Sequence, residues 1–133
     1  MRFYIAVGNT GAIRANKVAE VMEKRGHEHS FDRSQRGGGD PSELAFSVLR
    51  SVRDAELVLA LLPGGNETHV ELGFAIATRG NKRIVLWSET GDEFEKNDRA
   101  CAFYYHPAVE RVSCPFDELL VRLNKDQFGS ELK

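Results

Sequence analysis

One stretch of this chain combines residue types that can do chemistry with a spacing that can hold a ligand. Leu61-Leu62-Pro63-Gly64-Gly65-Asn66-Glu67-Thr68-His69-Val70-Glu71-Leu72-Gly73-Phe74-Ala75 leaves an apolar run, crosses a glycine loop and enters helical periodicity. Gly64 and Gly65 allow a bound group to come close to the backbone. Periodicity predicts a helix over 68–78, with Glu71 on its first turn at the floor of a crevice. A glutamate so placed can attack the anomeric carbon of a sugar and hold a covalent glycosyl intermediate. Thr68-His69-Val70-Glu71 is also the spacing of a capping box, in which Glu71 only returns a hydrogen bond to the Thr68 N–H. On spacing alone both readings stand.

Other candidates gather around the same crevice. Gly8-Asn9-Thr10-Gly11 follows the first apolar run and offers small residues at a helix N-terminus, where backbone N–H groups meet anions. It is not a GxGxxG fingerprint, and no GxxxxGK[ST] phosphate loop occurs in the chain. Asp32, Gly64, Gly65, Thr68 and Ser88 complete the set expected to touch a ligand. Arg33 and Arg36 flank the glycine triplet and are weighed against a solvated loop. His27 and His29 would share a strand face without a third metal ligand spaced nearby, so no metal and no cofactor are expected. Cys101 and Cys114 have no CxxC spacing and read as reduced thiols.

These residues need a frame, and the pattern supplies one. Apolar runs suited to buried parallel strands (Phe3 to Val7, Leu57 to Leu62, Arg83 to Trp87, Val109 to Val112) alternate with helical stretches, and a weak strand is placed at Glu28 to Phe31. Ala15, Val18, Ala19 and Met22 form one helical face, closed by Gly26. Asp40, Pro41 and Glu43 punctuate the start of another, with Leu44, Ala45, Val48, Leu49 and Val52 as its apolar stripe. A last helix begins at Pro115, with Phe116, Leu119, Leu120 and Leu123 inward. The alternation implies a single α/β domain over 1–133: a flavodoxin-like or Rossmann-like three-layer sandwich on a five-stranded parallel sheet. Its ligand site then lies at the carboxyl ends of the strands.

Composition narrows the partners. The 133 residues carry 18 basic and 20 acidic side chains, a net charge of −2, too balanced to point to a nucleic-acid polymer or a membrane surface. No apolar run approaches the ~20 residues of a membrane span, and no secretion signal is seen, so a cytoplasmic protein is expected. Phe103, Tyr104 and Tyr105 put three rings in a row beside Trp87, which reads as an interface anchor of a homodimer or larger homo-oligomer.

The segments Asp54 to Leu61, Glu71-Leu72-Gly73-Phe74-Ala75-Ile76-Ala77 and Lys82-Arg83-Ile84-Val85 together resemble the nucleoside 2-deoxyribosyltransferase family. Phe103-Tyr104-Tyr105-His106-Pro107-Ala108-Val109 is similar to a late segment of small members of that superfamily. The resemblance implies a glutamate nucleophile, which falls on Glu71, and a nucleoside or nucleoside 5′-monophosphate as substrate. It also implies dimers, with Tyr104, Tyr105 and His106 completing a neighbouring pocket. Pro63-Gly64-Gly65-Asn66-Glu67-Thr68-His69-Val70-Glu71 is similar as well to the PGGxGTxxE signature of cytokinin-activating phosphoribohydrolases, with Glu67 in place of a glycine. Both families attack an N-glycosidic bond, by hydrolysis or by transfer. Phe46-Ser47-Val48-Leu49 holds no carboxylate where the first family usually has an aspartate, which favours the rival reading of a non-catalytic nucleotide-binding or sensing module.

Overall fold

The computed structural model describes residues 1–31, 39–95 and 100–128. Strand β1 (Arg2–Val7) leads through a short 3-10 turn (Asn9–Gly11) into α1 (Ala12–Lys24) and then into β2 (Glu28–His29). Helix α2 (Pro41–Asp54), β3 (Leu57–Leu61), α3 (Asn66–Ala77), β4 (Arg83–Ser88), β5 (Val109–Ser113) and α4 (Phe116–Leu123) follow. The strands form one parallel sheet in the order β2-β1-β3-β4-β5, so the connection crosses over between β1 and β3, the switch point where ligands of such folds bind.

Period two along the strands divides the core into two layers. Phe3, Ile5, Leu57, Leu59, Leu61, Val85 and Trp87 face α1 and α4. Tyr4, Ala6, Val58, Ala60, Ile84 and Leu86 face the side of α2 and α3. All five residues of β3 are buried, as a strand covered on both faces requires.

The elements follow their sequence signals with three differences. Helix α1 buries Ala15, Val18, Ala19 and Met22 as its spacing dictates, and it ends before Gly26, which takes φ +89. Asp40 caps α2 by accepting the Ser42 N–H at 3.0 Å. The expected stripe of α2, however, is not sealed. Of its five residues only Val52 is buried; Leu44, Val48 and Leu49 are half-buried, and Ala45 is exposed. Leu44 and Val48 pack against the core only partly, and the last turn of α2 is the part that is buried. There Lys82, buried at 6% exposure, donates to the Arg53 and Thr78 carbonyls at 3.0 and 3.2 Å and ties the ends of α2 and α3 together. Burial holds its pKa below that of an ordinary lysine. The second difference is β2, an edge strand paired only with β1, which keeps two residues instead of the span to Phe31. The third is α3, which starts at Asn66, two residues before the predicted position.

Candidate functional site

The early start of α3 takes the capping role away from Glu71. Gly65 occupies the N-cap position, and its N–H donates to Thr68 Oγ1 at 3.0 Å. Thr68 is therefore the residue that returns a cap bond, and its side chain is buried at 1% exposure. Glu71 lies in the second turn, beyond reach of a capping role. Its carboxylate points into the sheet, where the Tyr4 hydroxyl donates to Oε2 at 2.7 Å. Tyr4 is an even-numbered residue of β1, so the pleat aims it at the α2–α3 layer and at Glu71. Both are buried, Tyr4 at 1% and Glu71 at 2% exposure.

The two glycine loops meet, as their placement at the carboxyl ends of β1 and β3 predicts. A Cβ on Gly8 would stand 3.0 Å from the Gly65 nitrogen and 3.2 Å from the Gly64 carbonyl carbon. Both neighbours are backbone, so a methyl group at Gly8 must push the loops apart. Gly8→Ala is expected to destabilise the fold by about 1–2 kcal/mol. The same Cβ on Gly65 meets nothing nearer than Gly8 Cα at 3.7 Å, so Gly65→Ala is expected to be milder. Urea melts of the two variants check this order.

The remaining predicted residues separate. Asn9 and Thr10 are exposed. Thr10 lines a cleft of about 540 Å³ on the α1–α4 side of the switch point, together with Arg14, Lys17, Trp87, Glu89 and Phe116. Arg14 is held there by Glu89 at 3.0 Å and lies over the Trp87 and Phe116 rings at 5.4 and 5.2 Å. Glu71 does not line this cleft; the sheet stands between them. Ser88 is fully buried, and its hydroxyl organises the next turn: it donates to Glu93 Oε1 and accepts the Gly91 N–H, both at 2.9 Å. Asp32, Arg33 and Arg36 lie outside the described residues.

The aromatic row differs from its expected role. Tyr104 is buried in the α2–α3 layer, on the opposite face of the sheet from Trp87. Tyr105 is half-buried and donates to the Phe94 carbonyl at 2.7 Å, which leaves only Phe103 exposed. The monomer thus absorbs Tyr104 and about half of Tyr105. Tyr104 has another partner that periodicity does not reveal. The His69 ring lies 2.7 Å from the Gly65 carbonyl through Nδ1 and 2.6 Å from the Tyr104 hydroxyl through Nε2. A carbonyl only accepts, so Nδ1 carries a proton and donates to Gly65, and Nε2 shares a hydrogen bond with the Tyr104 hydroxyl. Burial is the main cause that pushes the Tyr104 phenol up to about 12, with Cys101 and Glu93 adding to it. The chain from Tyr104 through His69 to Gly65 braces the glycine loop. His27 and His29 hold no common ligand geometry: His27 Nε2 meets Asp126 at 2.9 Å, and His29 Nδ1 accepts the Phe31 N–H at 3.1 Å.

No family model matches the chain, and no curated protein matches it in sequence. Solved structures do match. The chain is similar to a CMP N-glycosidase of Clostridium botulinum, BcmB, with a TM-score of 0.69 and 18% identity over 94% of this chain and 99% of that one. The fold is shared over nearly the whole length. A conserved protein from Enterococcus faecalis V583 is similar at a TM-score of 0.55 and 14% identity, covering 95% and 98% of the two chains. The Rossmann-like, flavodoxin-like architecture is thereby established. Among the described residues no helix is long and apolar enough to cross a membrane.

Proposed function

We propose that this protein breaks the N-glycosidic bond of a nucleoside or nucleoside 5′-monophosphate, with Glu71 as the attacking carboxylate. The observation that carries the reading is the Tyr4–Glu71 contact. It is a carboxylate set by a hydroxyl at 2.7 Å, on the helix that follows the glycine loop at the β1–β3 switch point. The overall likeness to a CMP N-glycosidase supports the same class of reaction. In the reaction the C1′–N bond breaks and the base departs with the electron pair, taking a proton from solvent that the attacking water or second base later returns. A Glu71 oxygen then bonds C1′ after an oxocarbenium-like transition state. Attack on C1′ by water releases the sugar and restores the carboxylate; attack by a second base completes a transfer instead, the course that the 2-deoxyribosyltransferase resemblance favours. Since Glu71 is 2% exposed, the carboxylate must become uncovered in the substrate complex. Tyr4 acts as a positioning residue.

The test is a mass-spectrometric screen of nucleosides and their monophosphates, CMP among them, for released base, with and without an acceptor base. Release from at least one substrate is the expected result; no release from any of them overturns the reading. Tyr4→Phe is expected to lower kcat by roughly 10²-fold with little change in KM, because the binding loops stay intact while the carboxylate loses its orientation. An unchanged kcat means that Tyr4 does not position the reacting group. The burial of Glu71 also favours a second reading, in which the Tyr4–Glu71 pair is structural and the chain only binds a nucleotide. Binding of a nucleotide without release of its base distinguishes that module from the enzyme.

A further inference from the structure

The cleft on the α1–α4 side of the sheet is built from groups that the reaction assigned to Glu71 does not use. Its volume of about 540 Å³ falls in the range of roughly 300–1,000 Å³ usual for small-molecule sites. The floor is apolar, with Leu61, Trp87 and Phe116 in it. Four charges stand around it: Arg14 and Lys17 from α1, Glu89 from the turn after β4, and Asp117 from α4. Glu89 neutralises Arg14 at 3.0 Å and also accepts the Phe116 N–H at 3.4 Å. That ion pair is made at the edge of the guanidinium, which leaves its planar surface for stacking. The Trp87 and Phe116 rings take part of that surface, and the Arg14 side chain remains 41% exposed at the cleft. Asp117 lies in the first turn of α4, where the helix dipole favours a carboxylate. Lys17 lacks such compensation: it is exposed and has no ion-pair partner among the described residues.

We propose that this cleft is a second binding site, which takes a planar aromatic carboxylate with its ring on the Arg14 guanidinium and its carboxylate at the Lys17 ammonium. Arg14 already lies over two rings, and a ligand ring extends the same stack. Lys17 is three residues further along α1 and so shares a face with Arg14, their Cβ atoms about 5–6 Å apart. That spacing suits an anion attached directly to the ring. In a nucleoside monophosphate the ribose stands between base and phosphate and carries the anion past Lys17. Glu89 and Asp117 also favour a monoanion over a dianion, since each adds repulsion as the ligand charge grows. The sheet separates this cleft from Glu71, so the binding does not depend on the reaction assigned there.

Trp87 is the only tryptophan of the chain, so its indole N–H gives a single resonance that reports on the floor of the cleft. Titration of the wild-type chain with 2-naphthoate, read at that resonance, tests the proposal. A saturable shift with a Kd of roughly a millimolar or tighter is expected for a ligand of this size. 2-Naphthylmethylamine keeps the rings and reverses the charge, and cyclohexanecarboxylate keeps the charge without a planar ring. Both are expected to bind at least about tenfold more weakly. CMP is expected not to displace 2-naphthoate. Lys17→Glu, at an exposed position, is expected to weaken 2-naphthoate roughly tenfold, and Arg14→Lys, which keeps the charge and loses the planar surface, roughly fivefold. Thermal melts confirm that both variants fold. No saturable shift at millimolar 2-naphthoate overturns the proposal. So does equal binding of the amine or of the non-planar acid, displacement by CMP, or binding indifferent to Lys17→Glu.

Discussion

Glu71→Gln is expected to lower base release by roughly 10⁴-fold or more, the loss that follows removal of a nucleophile. Gln keeps the length of the side chain and an acceptor oxygen, so the Tyr4 hydroxyl retains a partner at the position where it now donates at 2.7 Å. The fold is therefore expected to lose about 1 kcal/mol or less. This separation of activity from stability is the informative part of the result. The helix cap gives no reason for a stability loss either, because Thr68 and not Glu71 bonds the N-cap nitrogen. Release assays on the substrate found by screening, with a thermal melt of the same preparation, read both quantities. If Glu71→Gln keeps full activity, the nucleophile lies elsewhere; if it binds nucleotide as wild type does and neither protein releases base, the chain is a binding module.

Trp87→Ala is expected to destabilise the fold by about 3–5 kcal/mol. Trp87 is fully buried at the end of β4 in the α1–α4 layer, where it packs edge-on against Phe116 at 5.6 Å. Its indole N–H donates to the Cys114 carbonyl at 2.9 Å, so truncation leaves both a cavity and a buried carbonyl without its donor. Domains of this kind have about 5–15 kcal/mol of stability in total, so the variant is expected to be marginal at physiological temperature. Trp87→Phe refills most of the volume and loses only the donor, and its expected cost is about 1–3 kcal/mol. Denaturant titration of the two variants checks both values. A loss below 1 kcal/mol for Trp87→Ala would mean that α4 closes over the gap.

The frame of this protein was legible in the chain because its signals are local. Leu57 to Leu61 are apolar at every position, which only a strand covered on both faces accommodates. Ala15, Val18, Ala19 and Met22 recur at helical spacing and are the buried residues of α1. Asp40 caps α2 by a contact two residues away. From these alone the order of elements, the parallel sheet and the meeting of the two glycine loops at its carboxyl edge followed.

Tertiary structure decided what depends on contacts across the fold. Thr68 and Glu71 have the spacing of a capping box, yet the loop places the N-cap at Gly65, so the box begins one turn earlier and Glu71 is turned toward Tyr4, 67 residues away. Nothing in a one-dimensional pattern distinguishes Tyr4 from the other apolar residues of β1. Its hydroxyl gains meaning only when the register of β1 and the packing of α3 bring it to a carboxylate. Ser88 likewise stands where a ligand contact was expected, but the turn after β4 consumes its hydroxyl at Gly91 and Glu93. Tyr104 and Tyr105 turned inward for the same reason, since His69 and the Phe94 carbonyl, distant in sequence, offered their hydroxyls partners, while Phe103 stayed exposed. Helix α2 shows the opposite case: its stripe has the pattern of a buried face, but only Val52 is sealed, and Leu44, Val48 and Leu49 are half-buried.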